Sequence, residues 1–138
     1  MLSTIQANAK RMNELYARIS ETVQHRDESP AGLLAWKEAC QEFHREYGTL
    51  AFPGGLSVGI EKIKAGDLPT IEVALVYLEH TPYCFRSQYV ATTLSRALNK
   101  VALPEGMASR LIQWREAKKE RRAKRYSQLR AANAARRG

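Results

Sequence analysis

Cysteine is nearly absent from this sequence. Cys40 and Cys84 are its only two, too few for a disulfide framework, which points to a reducing compartment. Long hydrophobic runs are missing as well. The longest unbroken apolar stretch, residues 73–78, is far shorter than the roughly 20 residues that cross a bilayer. The first 15 residues hold no apolar segment of signal-peptide length. A cytoplasmic protein with no membrane partner is therefore expected. Apolar and polar residues nowhere alternate with a sustained period of two, so strands are not needed. The Gly54-Gly55 pair lacks the pattern of a phosphate loop, and no Ser/His/Asp or Cys/His set has recognisable flanking sequence. Acids such as Glu38, Glu42 and Glu46, beside Lys37 and Arg45, suit pairing along a helix surface. No catalytic residue and no cofactor is expected, and the chain does not read as an enzyme.

Acid is scarcest in the last quarter. From Arg110 onward there are eleven Lys and Arg against two acids, Glu116 and Glu120, a net of +9 in a chain of +8. A near-neutral body thus carries a concentrated cationic arm, and a polyanionic partner is implied.

The apolar residues that are present recur at helical spacings. Ile5, Ala9, Met12, Tyr16, Ile19 and Val23 form one stripe on a helix started by Ser3 or Thr4. Leu33, Trp36, Cys40, Phe43, Tyr47 and Leu50 form a second, with Ser29 as N-cap and Pro30 at the first helical position. The two predict an antiparallel hairpin over residues 3–50, or a seam through which the N-terminal helix pairs two copies of the chain. The sequence 52–55, Phe-Pro-Gly-Gly, breaks the pattern. Shorter helices follow: one on Leu56, Ile60 and Ile63, and a largely buried one opened by Asp67-Leu68-Pro69. Another begins at Thr81-Pro82 with Phe85, Tyr89, Leu94, Ala97 and Leu98 inward, and a last one begins at Leu103-Pro104. The expected fold is all-α: a hairpin, then short helical pairs over 55–114 resembling a helical-repeat stack, then a long basic helix. The stripe Met107, Leu111, Trp114 continues as Lys118, Arg122, Arg125. A body of residues 1–114 and a basic arm of 115–138 that leaves it near Arg115 are expected.

Phosphate contacts are expected from Lys118, Lys119, Arg121, Arg122, Lys124 and Arg125, which wrap all sides of two helical turns, with Arg115 and Arg130 at the edges. Tyr126 is the aromatic available for stacking on a base. Within the arm, residues 118–133 (KKERRAKRYSQLRAAN) resemble the arginine-rich RNA-binding peptide of lambdoid phage antitermination N proteins. The similar positions are Lys118-Lys119, Glu120-Arg121-Arg122-Ala123, Gln128, Arg130 and Ala131-Ala132-Asn133. That resemblance implies a helix that grips an RNA hairpin, although Leu129 stands where the peptide has its stacking aromatic. The segments 50–56 (LAFPGGL), 77–79 (YLE) and 85–89 (FRSQY) resemble an uncharacterised family of bacterial helical proteins. The segments 56–60 (LSVGI) and 74–77 (ALVY) are faintly similar to the helical part of ProQ/FinO RNA chaperones, whose Asp-Leu-Asp-Gly turn is missing here.

Two smaller constellations remain. Cys40-x3-His44 and His80-x3-Cys84 have the residue types of a tetrahedral zinc site. Thr81-Pro82 interrupts the second pair and Cys40 lies on an apolar stripe, so no metal site is expected and the thiols read as core. Tyr83 and Arg86, with Tyr89, cluster at a helix start and could add a secondary nucleic-acid contact; otherwise Arg86 pairs with Glu79 or Glu72. The function expected is regulatory nucleic-acid binding, RNA ahead of DNA, by the basic helix. The alternative is a helical protein–protein adaptor whose arm docks on an acidic partner.

Overall fold

The computed structural model describes residues 1–137. Among them are six helices and no strand: α1 (Leu2–Val23), α2 (Pro30–Ala51), α3 (Leu56–Lys64), α4 (Leu68–His80), α5 (Ser87–Asn99) and α6 (Glu105–Arg137). The protein is all-α. It divides into two compact units, Met1–Ala102 and the segment from Leu103 on, whereas the apolar pattern alone places the change of character near Arg115.

The first unit opens with the expected hairpin. Ser29 caps α2 by accepting from the Gly32 backbone N–H at 3.0 Å, and Pro30 fills the first turn. The turn before it lies so close that a Cβ on Gly32 would stand 2.1 Å from the His25 carbonyl oxygen. Arg11 donates to Glu46 (3.0 and 2.8 Å) and to Glu42 (2.9 Å), and Arg18 donates to Glu42 (2.7 Å). Rising numbers on α1 meet falling numbers on α2, so the helices run antiparallel.

The buried seam differs from the expected one. Ile5, Ala9, Met12 and Leu15 are buried on α1, and Tyr16 is 44% exposed. On α2 the buried positions are Ala39, Phe43 and Ala51, while Leu33 is exposed and Cys40 half-buried. The period was legible but its phase was not, because Leu15 and Tyr16 both fit a 3.6-residue repeat. These side chains are buried within a single chain, each such large residue contributing about 1.5–3 kcal/mol.

Phe52 ends the hairpin and is 1% exposed. Its ring lies over Gly59 of α3, where a Cβ would come within 2.6 Å of Cε1. Gly54 and Gly55 turn the chain with φ of 81° and 98°, which glycine tolerates at no steric cost. Helices α3, α4 and α5 pack on one another, α4 also touching α1 and α3 touching α2. Asp67 caps α4 as expected. Ile71, Ala74, Leu75, Tyr77 and Leu78 of α4 are buried, and α5 is buried to a similar degree.

Pro82 does not start a helix. Thr81 turns its hydroxyl back onto the Leu78 carbonyl at 2.8 Å, and α5 begins only at Ser87. The loop between them is held on α1: Asn13 Nδ2 donates to the Tyr83 carbonyl at 2.8 Å, and Phe85 stacks on Tyr16 with ring centroids 4.8 Å apart. These contacts come from residues about 70 positions away and override the local helix-start signal. The inward face of α5 is Val90, Ala91, Leu94, Ala97 and Leu98, with Tyr89 turned out at 54% exposure.

The second unit is dominated by α6, a continuous helix of 33 residues, about 50 Å long at 1.5 Å per residue. Leu111 is its one buried residue. No helix among the described residues is long and apolar enough to cross a membrane.

Candidate nucleic-acid interface

The geometry of α6 decides which of its charges can act together. Advancing about 100° per residue, Arg121, Arg122, Lys124 and Arg125 fall on a broad arc with Lys118, Lys119, Arg115 and Arg130. The cations therefore do not surround the helix. Glu116, Glu120, Ala123 and Ser127 share the remaining stripe, because steps of four and three residues return to one face. The arm is a two-sided object, with a cationic arc covering about two thirds of its circumference and a narrow acidic and small-residue stripe opposite.

Few of these cations are compensated. Lys119 lies 3.9 Å from Glu116, a loose pair between side chains more than half exposed, of the kind worth roughly 0–1 kcal/mol. Lys118 sits over the Trp114 ring at 5.1 Å, and Arg130 over Tyr126 at 5.0 Å. Arg121, Arg122, Lys124 and Arg125 are exposed, and no ion pair engages them among the described residues. Arg115 and Lys118 are half-buried. Tyr126 is 60% exposed with one face covered by Arg130, so the aromatic and the cation form one surface.

Tyr83 and Arg86 belong to the first unit. Arg86 is the residue before α5 and stands at φ 61°, the one non-glycine residue in the left-handed region among those described. Its guanidinium lies 4.7 Å from the Tyr89 ring centroid. No ion pair is recorded for it among the described residues. Tyr83 is 95% exposed. The neighbourhood includes residues that sequence reasoning did not single out for a site: Asn13 and Tyr16 from α1, and Tyr47 from α2, whose hydroxyl is buried without a hydrogen-bond partner. Burial pushes the Tyr47 hydroxyl pKa up, opposed by the nearby Arg86 charge. No local signal could have found them, since they meet only through the packing of α1 and α2 on the α4–α5 loop.

His80 closes α4 and Cys84 lies in the loop beyond it, its thiol pKa raised by burial. No cluster of three or more His, Cys, Asp or Glu suited to a metal occurs among the described residues. Comparisons with protein-family models, curated proteins and solved structures find no match to this chain.

Proposed function

We propose that the protein binds nucleic acid, RNA ahead of DNA, through the cationic arc of α6, in a regulatory and non-enzymatic role. The observation that carries the reading is the run Arg121, Arg122, Lys124 and Arg125, exposed on one continuous helix with no ion pair among the described residues. Four adjacent uncompensated cations repel one another, a cost that a row of phosphates would remove while releasing counterions. The likeness of residues 118–133 to a hairpin-binding peptide supports RNA over duplex DNA.

The test is binding of hairpin RNA, single-stranded RNA and duplex DNA at several salt concentrations. It compares the full chain, a full chain with the four cations changed to Gln, and a chain stopped after Trp114. The expected result is a log–log salt slope of about −3 to −6 for the full chain, reduced by roughly 3 in the quadruple variant. Equal binding by all three proteins would sink the reading. The competing reading, an adaptor docked on an acidic protein, draws on a groove of about 670 Å³ along α1, lined by Ile5, Ala9, Asn13 and Pro82 among others. It would be favoured if an acidic polypeptide bound more tightly than RNA of equal charge.

A further inference from the structure

Arg86 has three features that the structure of the first unit does not require. It is an arginine in the left-handed conformation, where glycine or asparagine would be less strained. No ion pair is recorded for its charge among the described residues, and the Tyr89 ring lies 4.7 Å from its guanidinium. It also forms part of two concavities, one of about 390 Å³ reaching to Asn13, Tyr16 and Tyr83, the other of about 500 Å³ reaching to Tyr47, Gly55 and Tyr89. Both volumes fall within the roughly 300–1,000 Å³ of small-ligand sites.

The lining of these concavities selects their occupant. Neither contains a carboxylate, although residues 1–102 carry eleven acids against eleven bases. Arg86 is the sole charged group in both. What surrounds it is aromatic or neutral and hydrogen-bonding: Tyr83 with its ring open to solvent, Tyr89, Asn13 and Gln88. A cation for phosphate, free aromatic faces for bases and neutral donors for base edges are what unpaired nucleotides require. A fully paired stem has no base to offer such a surface.

We propose that the Tyr83–Arg86–Tyr89 surface binds one or two unpaired nucleotides of RNA, with a base stacked on Tyr83 and a phosphate on Arg86. The choice of RNA rests on the reading of α6 above; the site itself lies wholly in the first unit.

The experiment uses the full chain and two hairpin RNAs with equal numbers of phosphates, one blunt and one ending in an unpaired tail. Arg86→Gly removes the guanidinium while suiting the backbone, and Tyr83→Ser removes an exposed ring, so neither should disturb folding. Each is expected to weaken tailed-hairpin binding about tenfold and blunt-hairpin binding less than twofold. The α6 quadruple variant should weaken both RNAs together. If that variant changes nothing while Arg86→Gly still separates the two RNAs, the α6 reading fails and this one stands. Equal losses on the two RNAs, no loss on either, or an acidic peptide that depends on Arg86 more than tailed RNA does would each overturn the proposal.

Discussion

Residues 1–102 and α6 handle charge in opposite ways. In the first unit eleven basic residues meet eleven acidic ones, and Arg11, Arg18, Arg26 and Lys64 form ion pairs with carboxylates of that unit. In α6, Arg121, Arg122, Lys124 and Arg125 have no such partner among the described residues, and the few acids are segregated on the opposite stripe. The contrast teaches that composition alone would misassign the basic character of the chain. A positive surplus is informative where local structure leaves it unpaired, and Arg86 beside the Tyr89 ring repeats in the first unit the pairing of Arg130 with Tyr126 in α6.

The largest expected effect separates the two regions outright. Changing Arg121, Arg122, Lys124 and Arg125 to Gln should lower RNA affinity about a hundredfold at moderate salt, with the unfolding midpoint of the first unit unchanged. Gly59→Ala should do the reverse. Its new methyl meets the buried Phe52 ring, so chemical denaturation should show a loss of about 1–3 kcal/mol, while the folded fraction binds RNA normally. If the α6 variant destabilises the chain as much as Gly59→Ala, the division of labour is broken.

A smaller effect tests the exceptional residue. Arg86→Gly should be more stable than Arg86→Ala by about 1 kcal/mol, because alanine keeps the left-handed strain and glycine does not. Arg86 is the N-cap of α5, where glycine already outranks alanine, so thermal melts should show the gap, and equal stability would mean that the conformation at 86 is not strained.

The same contrast explains how much could be read from the sequence. Helix starts written in adjacent residues were legible: Ser29-Pro30 and Asp67-Leu68-Pro69 cap α2 and α4 as their chemistry dictates. So was the basic arm, since its charges are neighbours in sequence. Its two-sidedness follows from one unbroken helix, a continuity that the like charges left open. Thr81-Pro82 carries the same kind of signal and misled, because Asn13 and Tyr16 hold the following loop against α1. The exposure of Tyr16 and Tyr89 was misjudged for a related reason: periodicity fixes that a helix has an inner face, not which of two adjacent residues centres it. The surroundings of Arg86 were beyond local reading altogether, assembled from α1, α2 and the turn at 54–55.

The gentlest test is pH, and it acts on the first unit at both ends of the scale. Glu46 is held below the usual carboxylate range chiefly by its hydrogen bond from Arg11, and Asp67 by its hydrogen bonds from Thr70. A carboxylate with a depressed folded pKa contributes stability above its unfolded value, about 4.3 for Glu and 3.9 for Asp. That contribution is lost as pH falls through the folded value. Cys84 is shifted the other way, its thiol kept neutral by burial. Its contribution is present below the unfolded pKa of about 8.5 and is lost as pH rises through the folded one. Urea midpoints should therefore stay level from about pH 5 to 8 and fall on either side. Glu46→Gln should make the acid limb shallower, leaving the Asp67 part, and Cys84→Ala should make the alkaline limb shallower, leaving that of the buried Tyr47 and Tyr77 hydroxyls. Substitution of the four cations of α6 should leave the whole profile in place. A profile that moved with them would show the arm's charge reaching into the stability of the first unit.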